Sequence, residues 1–472
     1  MNIFIKKLVG FSVGPVAGAF IGLITIPLTT YFIVPSEYGK ASMFALFQMI
    51  FATLIYLGID QSYTREYHSE KNKKNLFQNA IIIPLVFSLF ILLLTILFSK
   101  HTSILLFDSP NYKFSSILFG LMIVFMVLER FILLSIRMEE KALEYSLLNI
   151  FVKLAVLVLT LFFIIFVRRD FLTIVYATTI GQVIGDLYLL FRYRKLFILK
   201  DFKLDTVLLK RMLSFGLPIL ISASLSNLLN SLDRLSLRAW SDFYQLGIFT
   251  ATLRIVATLT IIQTSFTSFW VPTAYRWHEK GKSMDHYKIV SEGLLLVLSV
   301  LFFGILTFKG LIVTLLSSNY EDAKFVVGFL CLQPIMYTIS ETTCLGIVFS
   351  RKSYLNIWIG IISIIPNIIL NIVLVPHFGA IGAAIATGIS YICFFVGRTY
   401  FSGKCGMKFN VNRHYLVIFL LLIAAFINLI HSEIVVLLNI VMLILVVAVQ
   451  FGTIKKFINI RKGNHKELYD FS

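Results

Sequence analysis

Charge is scarce in this 472-residue chain, and negative charge scarcer still: 24 Asp and Glu stand against 42 Lys and Arg. Only 14% of residues are charged, against about a quarter in soluble domains, which excludes an ordinary soluble fold. Cysteine is nearly absent. Cys331, Cys344 and Cys393 fall inside apolar runs and Cys405 in a connection, so neither a disulfide framework nor a metal cluster is suggested. No G-x-x-x-x-G-K-[ST] loop occurs, so the chain hydrolyses no ATP through that motif. Long polar segments are missing as well. The longest connections, 99–114 on one side and 192–214 on the other, offer no extramembrane catalytic domain. An integral-membrane enzyme would need a sizeable outward loop, and a non-enzyme is expected.

What the chain has is hydrocarbon. It is 58% hydrophobic, with mean hydropathy +0.88, and apolar runs of about 20 residues, the length that crosses a ~30 Å hydrocarbon core, recur throughout. Fourteen spans are expected, near 8–34, 41–59, 77–98, 115–136, 145–167, 172–191, 215–240, 247–271, 291–308, 323–346, 355–375, 379–399, 414–430 and 434–452. A lipid-spanning β-barrel would show alternation instead of continuous runs. The fold class is therefore an all-α polytopic membrane protein of about 14 transmembrane helices. "AGA" at 17–19 has the look of a cleavage site, but the apolar run continues past it, so an uncleaved first span is expected.

Lys and Arg set the orientation. With the N-terminus inside, 30 of them fall on inward segments, eight on outward loops, and four (Arg130, Lys153, Arg234 and Arg254) inside spans. Both termini are thus expected in the cytoplasm. The net charge of +18 is a topology signal, with anionic lipid contact, and not a mark of nucleic-acid binding. The basic connection 192–214 divides six spans from six. "KKLVGFSVGP" before span 1 and "KRMLSFGLP" before span 7 look like copies, and each span is followed by a short acidic connector ending in Gly, at Gly39 and Gly247. Two parallel six-helix lobes, 1–199 and 200–400, are expected, with two additional helices and a basic tail over 401–472.

Four stretches carry a family resemblance: "FGLPILISASLSNLLNSLDRLSL" (215–237), "LGIFTATLRI" (246–255), "RMEEKALEYSLLNI" (137–150) and "NIVLVPHFGAIGAAIATGISY" (371–391). Together they resemble the polysaccharide-exporter branch of the MOP superfamily, which includes Wzx-type O-antigen flippases, lipid II flippases and MATE exporters. The resemblance implies two lobes around a central cavity and alternating access. It further implies an undecaprenyl-pyrophosphate-linked oligosaccharide, of O-antigen or capsule type, moved across the bacterial inner membrane for lipopolysaccharide or related surface polymers. A polysaccharide polymerase and a chain-length regulator are the implied protein partners. A MATE-like exporter of cationic drugs would share the fold, but cations lining its path would repel such cargo.

The residues can be read for that task directly. A pyrophosphate needs cations, and sugars need amides and hydroxyls. Tyr145, Asn149 and Lys153 form a polar stripe at i, i+4, i+8, with Lys153 about 12 Å in from the inner end at ~1.5 Å per residue. It either faces substrate or pairs with a neighbouring carboxylate. Glu129 and Arg130 share span 4. Asn230 precedes the Asp233–Arg234 step on span 7, and Arg254 lies on span 8; both arginines either face substrate or snorkel to headgroups. Buried carboxylates can exchange a coupling ion, H+ or Na+, as access alternates. Asp60, Asp186, Asp233 and Glu341 are the candidates, with structural hydrogen bonding between helices as the alternative. Asn356, Ser363, Asn367 and Asn371 give span 11 one polar face, suited to sugars or to interhelical bonds. Ala380, Ala384 and Gly388 form a small-residue packing seam. Trp240, Trp270, Trp277 and Trp358 fall near span ends, where an interfacial belt is expected. No catalytic residue, metal or cofactor is called for.

Overall fold

The computed structural model describes residues 3–200, 202–314, 316–350, 352 and 354–461; within these, the side chains of 3–12, 15, 16, 19, 23, 222, 223, 225, 226, 229, 460 and 461 lie outside the description. Among the described residues every regular element is helical. Hydrocarbon leaves little choice, since a helix satisfies its backbone groups within one segment.

The chain divides into two compact units, Met1–Ser231 and Leu232–Ser472. The first holds α1 (Ile3–Phe32), α2 (Pro35–Tyr56), α3 (Ile59–Glu66), α4 (Lys73–Leu97), α5 (Ser99–Phe107), α6 (Lys113–Met138), α7 (Ala142–Phe166) and α8 (Phe171–Arg192). Helix α9 (Thr206–Trp240) runs across the boundary. The second unit continues with α10 (Phe243–Glu279), α11 (Met284–Thr307), α12 (Lys309–Thr314), α13 (Ala323–Thr343), α14 (Leu345–Phe349), α15 (Leu355–Lys404), α16 (Asn412–Ile427), α17 (Ile434–Val449) and α18 (Phe451–Arg461).

The fourteen expected spans fall on helices, with 41–59 crossing the break between α2 and α3, 323–346 that between α13 and α14, and 434–452 that between α17 and α18. Nine helices among the described residues are long and apolar enough to cross a membrane, or ten if α17 and α18, bent by 55°, form one span. Helix α15 carries two of the expected spans. Its 50 residues would reach about 75 Å at 1.5 Å per residue, and Gly379 breaks it at φ 52, ψ −125, a region open to glycine alone. The Gln245 side chain, from the start of α10, accepts from the Ala380 N–H at 2.9 Å and so tends the break. Polar residues close several other helix starts: Asn72 accepts from Asn75 N–H, Asp170 from Leu172 N–H and Asp242 from Gln245 N–H.

In the first unit, α4 packs on α6, and α7 on both α1 and α8. An aromatic cluster of Phe44, Phe107, Phe119 and Phe171 fills one part of its core, burying apolar area that would otherwise face lipid or water. In the second unit α13 is almost wholly buried, against α10, α11 and α15. The seam Ala380, Ala384 and Gly388 is buried as its spacing implied. Two tryptophans depart from the expected belt. Trp270 and Trp277 are buried with Tyr287, and Trp270 Nε1 donates to the Glu341 carbonyl at 3.1 Å; packing inside a helix cluster outweighed the interface. Trp240 and Trp358 remain exposed.

Candidate substrate and ion sites

The break between α2 and α3 builds the first site. Leu57 (φ 49) and Gly58 (φ 68) are both left-handed, so the chain turns sharply and presents Asp60 on the first turn of α3. Asp60 is buried and meets Arg130 of α6: its Oδ2 accepts from Nη2 at 2.6 Å and from Nε at 3.2 Å. Gln61 donates to the same oxygen at 3.1 Å. The Arg130 guanidinium also lies 5.7 Å from the Tyr56 ring centre, and Tyr56 Oη donates to the Met126 carbonyl at 3.2 Å. These groups wall a cavity of about 550 Å³ within the first unit, to which Gln48, Thr53 and Asn227 add amide and hydroxyl groups. Asn227 donates to Thr53 Oγ1 at 2.7 Å, while Gln48 Nε2 is buried without a hydrogen-bond partner. Arg130 keeps 39% of its side chain exposed and spends Nε and Nη2 on Asp60, which leaves the Nη1 donors for a guest.

Behind Arg130 lies a second polar group. Gln182 of α8 donates to Asp186 Oδ1 at 3.1 Å and also hydrogen-bonds Glu129 of α6. One amide thus joins two carboxylates on neighbouring helices. Asp186 is 1% exposed, and its Oδ2 has no hydrogen-bond partner. Lys153 of α7 is exposed, and its field and that of Arg130 both reach Glu129. Asn149, one turn before Lys153, donates to its own helix at the Tyr145 carbonyl, 2.8 Å away.

In the second unit, Asp233 is buried and surrounded by neutral donors. Its Oδ1 accepts from Asn367 at 3.0 Å and Asn371 at 2.9 Å, and its Oδ2 from Thr387 at 2.7 Å. Asn371 Oδ1 is buried with no hydrogen-bond partner. Arg234 is half-buried, with the charge of Arg254 near enough to oppose its own, and Arg254 is exposed; Asn230, also exposed, falls in the first unit. Glu341 has a different setting. Arg398 Nη1 meets its Oε1 at 2.6 Å and Ser340 Oγ at 2.8 Å, and the guanidinium lies near the Tyr337 and Phe394 rings.

The family of polysaccharide biosynthesis proteins matches residues 5–278, more than half of the chain. The chain belongs to that family. A curated relative from Haloferax volcanii, "Probable low-salt glycan biosynthesis flippase Agl15", is 24% identical over 189 residues, covering 37% of this chain and 40% of the relative. The matched stretch is therefore well under two thirds of that protein. Among solved structures, the lipid II flippase MurJ in an inward closed conformation superimposes with a TM-score of 0.70 at 18% identity, over 95% of this chain and 99% of that one. An inward-facing multidrug-resistance MATE transporter of the MOP superfamily gives 0.57 at 18% identity, over 82% and 97%. At these identities the likeness establishes a MATE-like membrane fold.

Set in this family member, the candidate residues sort by unit. In the first, the fold unites Arg130 with Asp60 and places Lys153 and Asp186 around Glu129. In the second, Asp233 and Glu341 occupy separate sites. Three partners were not legible as such. Thr387 sits within the small-residue seam of α15, Arg398 counts as an inward cation by position, and Thr53 lies on an apolar stretch of α2. The polar face of Asn367 and Asn371 was visible at i, i+4, but not its target.

Proposed function

We propose that this polysaccharide biosynthesis protein is a flippase for an undecaprenyl-pyrophosphate-linked oligosaccharide, working by alternating access driven by a monovalent cation. The observation that carries the reading is the first unit's cavity, where a partly exposed arginine is held by one carboxylate among amides and hydroxyls. Pyrophosphate meets the Nη1 donors of Arg130 that Asp60 leaves open, because a guanidinium gives strong charge-assisted hydrogen bonds to phosphate oxygens. Gln48, Gln61, Thr53 and Asn227 suit sugar hydroxyls. Membership of the family and the description of the Haloferax volcanii relative as a probable glycan biosynthesis flippase support a lipid-linked glycan as substrate. A cationic drug would meet Arg130 as a repelling charge, which disfavours a drug antiporter.

Asp233 is the proposed coupling site, and Na+ the ion. A single buried carboxylate among neutral ligands balances one positive charge, and the unpartnered Asn371 Oδ1 is an oxygen fit for a hard cation. Asn367, Thr387 and a turned amide of Asn371 would complete an all-oxygen set. No step of substrate movement needs the ion to touch the glycan.

The test is flipping of a short pyrophosphate-linked oligosaccharide in proteoliposomes. Arg130→Ala should lower the rate at least 10-fold with normal insertion, and Arg130→Lys should keep part of it. An imposed Na+ gradient should accelerate wild type, and Asp233→Asn should remove that acceleration. Unchanged flipping in Arg130→Ala would refute the cavity assignment. A response to protons alone, with none to Na+, would refute the ion assignment.

A further inference from the structure

The second arm of α15, the 405–411 connection and the start of α16 enclose a pocket of about 460 Å³ that the transport reading does not use. Its polar wall is made by Thr343, Thr399, Tyr400, Lys404, Lys408 and Tyr415. The two threonine hydroxyls meet at 2.8 Å. Lys404 Nζ stands 5.7 Å from the Tyr400 ring centre, which holds the ammonium on the pocket rim.

Two features select a ligand. The first is charge: no Asp or Glu occurs in the sequence between Glu341 and Glu433, and Glu341 is committed to Arg398 at 2.6 Å. Lys404 and Lys408 are both exposed, so the pocket presents two cations with no carboxylate in its wall. The second is the flank. Val396 in the pocket wall, and Leu416 and Phe419, which follow the wall residue Tyr415 along α16, are exposed apolar side chains, suited to hydrocarbon and of no use to a free anion. A basic pocket between membrane helices, bordered by lipid-facing surface, is the setting in which acidic headgroups bind.

We propose that this pocket binds the phosphate headgroup of an anionic membrane phospholipid, with the acyl chains lying along the Val396–Phe419 flank. The two lysines neutralise the phosphate as point charges, and the tyrosine and threonine hydroxyls take its remaining oxygens. Each lysine at a membrane surface contributes about 1 kcal/mol toward an acidic lipid, roughly a five-fold change in affinity, so the pair is expected to shift affinity at least ten-fold.

The experiment measures the thermal unfolding midpoint of the full-length protein in uncharged detergent. Mixed micelles of phosphatidylglycerol, of phosphatidylcholine, or detergent with inorganic phosphate are added. Phosphatidylglycerol should raise the midpoint beyond phosphatidylcholine. Lys404→Ala with Lys408→Ala should remove at least half of that excess, and Lys404→Arg with Lys408→Arg should retain it. Lys455→Ala with Lys456→Ala, on α18, should leave it intact. If the alanine pair fails to accumulate, the single variants Lys404→Gln and Lys408→Gln read the same excess, each losing part. An excess unaffected in these pocket variants, or no excess at all, overturns the proposal. Equal stabilisation by inorganic phosphate overturns the lipid as occupant and makes the pocket a free-anion site.

Discussion

Single charged residues separate into two kinds by what holds them. Glu341 and Arg398 form a buried pair, with side chains 9% and 14% exposed, and each is the other's main compensation. Removing one partner of such a pair leaves an uncompensated charge and costs about 3–5 kcal/mol. Arg398→Ala should therefore lower abundance in the membrane strongly, and adding Glu341→Gln should restore much of it; quantitative immunoblotting of both variants measures this. Lys153 is the other kind. It is exposed on α7, with Gly18 of α1 packed beside its stem, and its field reaches Glu129. Lys153→Ala should leave abundance near wild type and reduce glycan export several-fold, with Lys153→Arg intermediate, since a fork replaces a point charge. Loss of abundance in Lys153→Ala, rescued by Glu129→Gln, would make the lysine structural.

Helices place these residues through breaks more than through regular turns. Gly58 and Gly216 meet backbone to backbone within the first unit: a Cβ at Gly58 would stand 2.2 Å from the Gly216 carbonyl oxygen, and one at Gly216 would stand 2.6 Å from the Leu57 carbonyl oxygen. Ser62 donates to the Met212 carbonyl at 2.7 Å, and Arg211 pairs with Glu70 at 2.6 Å and Glu66 at 3.4 Å, so the start of α9 is fastened to α3 and to the turn that follows it. Gly58→Leu should push these helices apart and shift Asp60 away from Arg130. Disulfide trapping between Ser62→Cys and Met212→Cys, efficient in the parent, should fall sharply in that background. The Gly379 break predicts a second loss. Alanine there adopts a sparsely populated conformation at a cost of about 1–3 kcal/mol, and its Cβ would lie 2.6 Å from Gln245 Oε1; Gly379→Ala should lower the unfolding midpoint of the purified protein. Helix identity and order were legible in sequence because hydrocarbon length and continuous apolar runs dictate them. The site was legible only by residue type. Arg130 and Asp60 are 70 positions apart, and their pairing depends on the Leu57–Gly58 turn, which no periodicity signals. Thr387 and Arg398 escaped for the same reason, since their meaning lies in the partner they reach.

At the scale of the molecule, orientation is the property on which every assigned depth rests. The bias of Lys and Arg toward alternate connections predicts that both termini and the 192–214 connection face the cytoplasm and that the α11–α13 connection faces outward. That outward connection carries a chemical reporter. Lys309 donates to the Asn428 carbonyl at 3.1 Å, and burial, followed by the like charge of Lys324, lowers its ammonium to a pKa of about 8. An ordinary lysine titrates near 10.4, so at neutral pH a far larger fraction of Lys309 is the neutral, nucleophilic amine. An impermeant amine-reactive reagent applied to intact cells at pH 7 should modify Lys309, although it is partly buried. Raising the pH to 8.5 should bring Lys309 close to its plateau. Mass spectrometry of the labelled peptides gives the profile, and the connection 192–214 should stay unlabelled until the membrane is opened. Labelling of Lys195, Lys200 and Lys203 in intact cells, with Lys309 protected, would invert the molecule in the membrane.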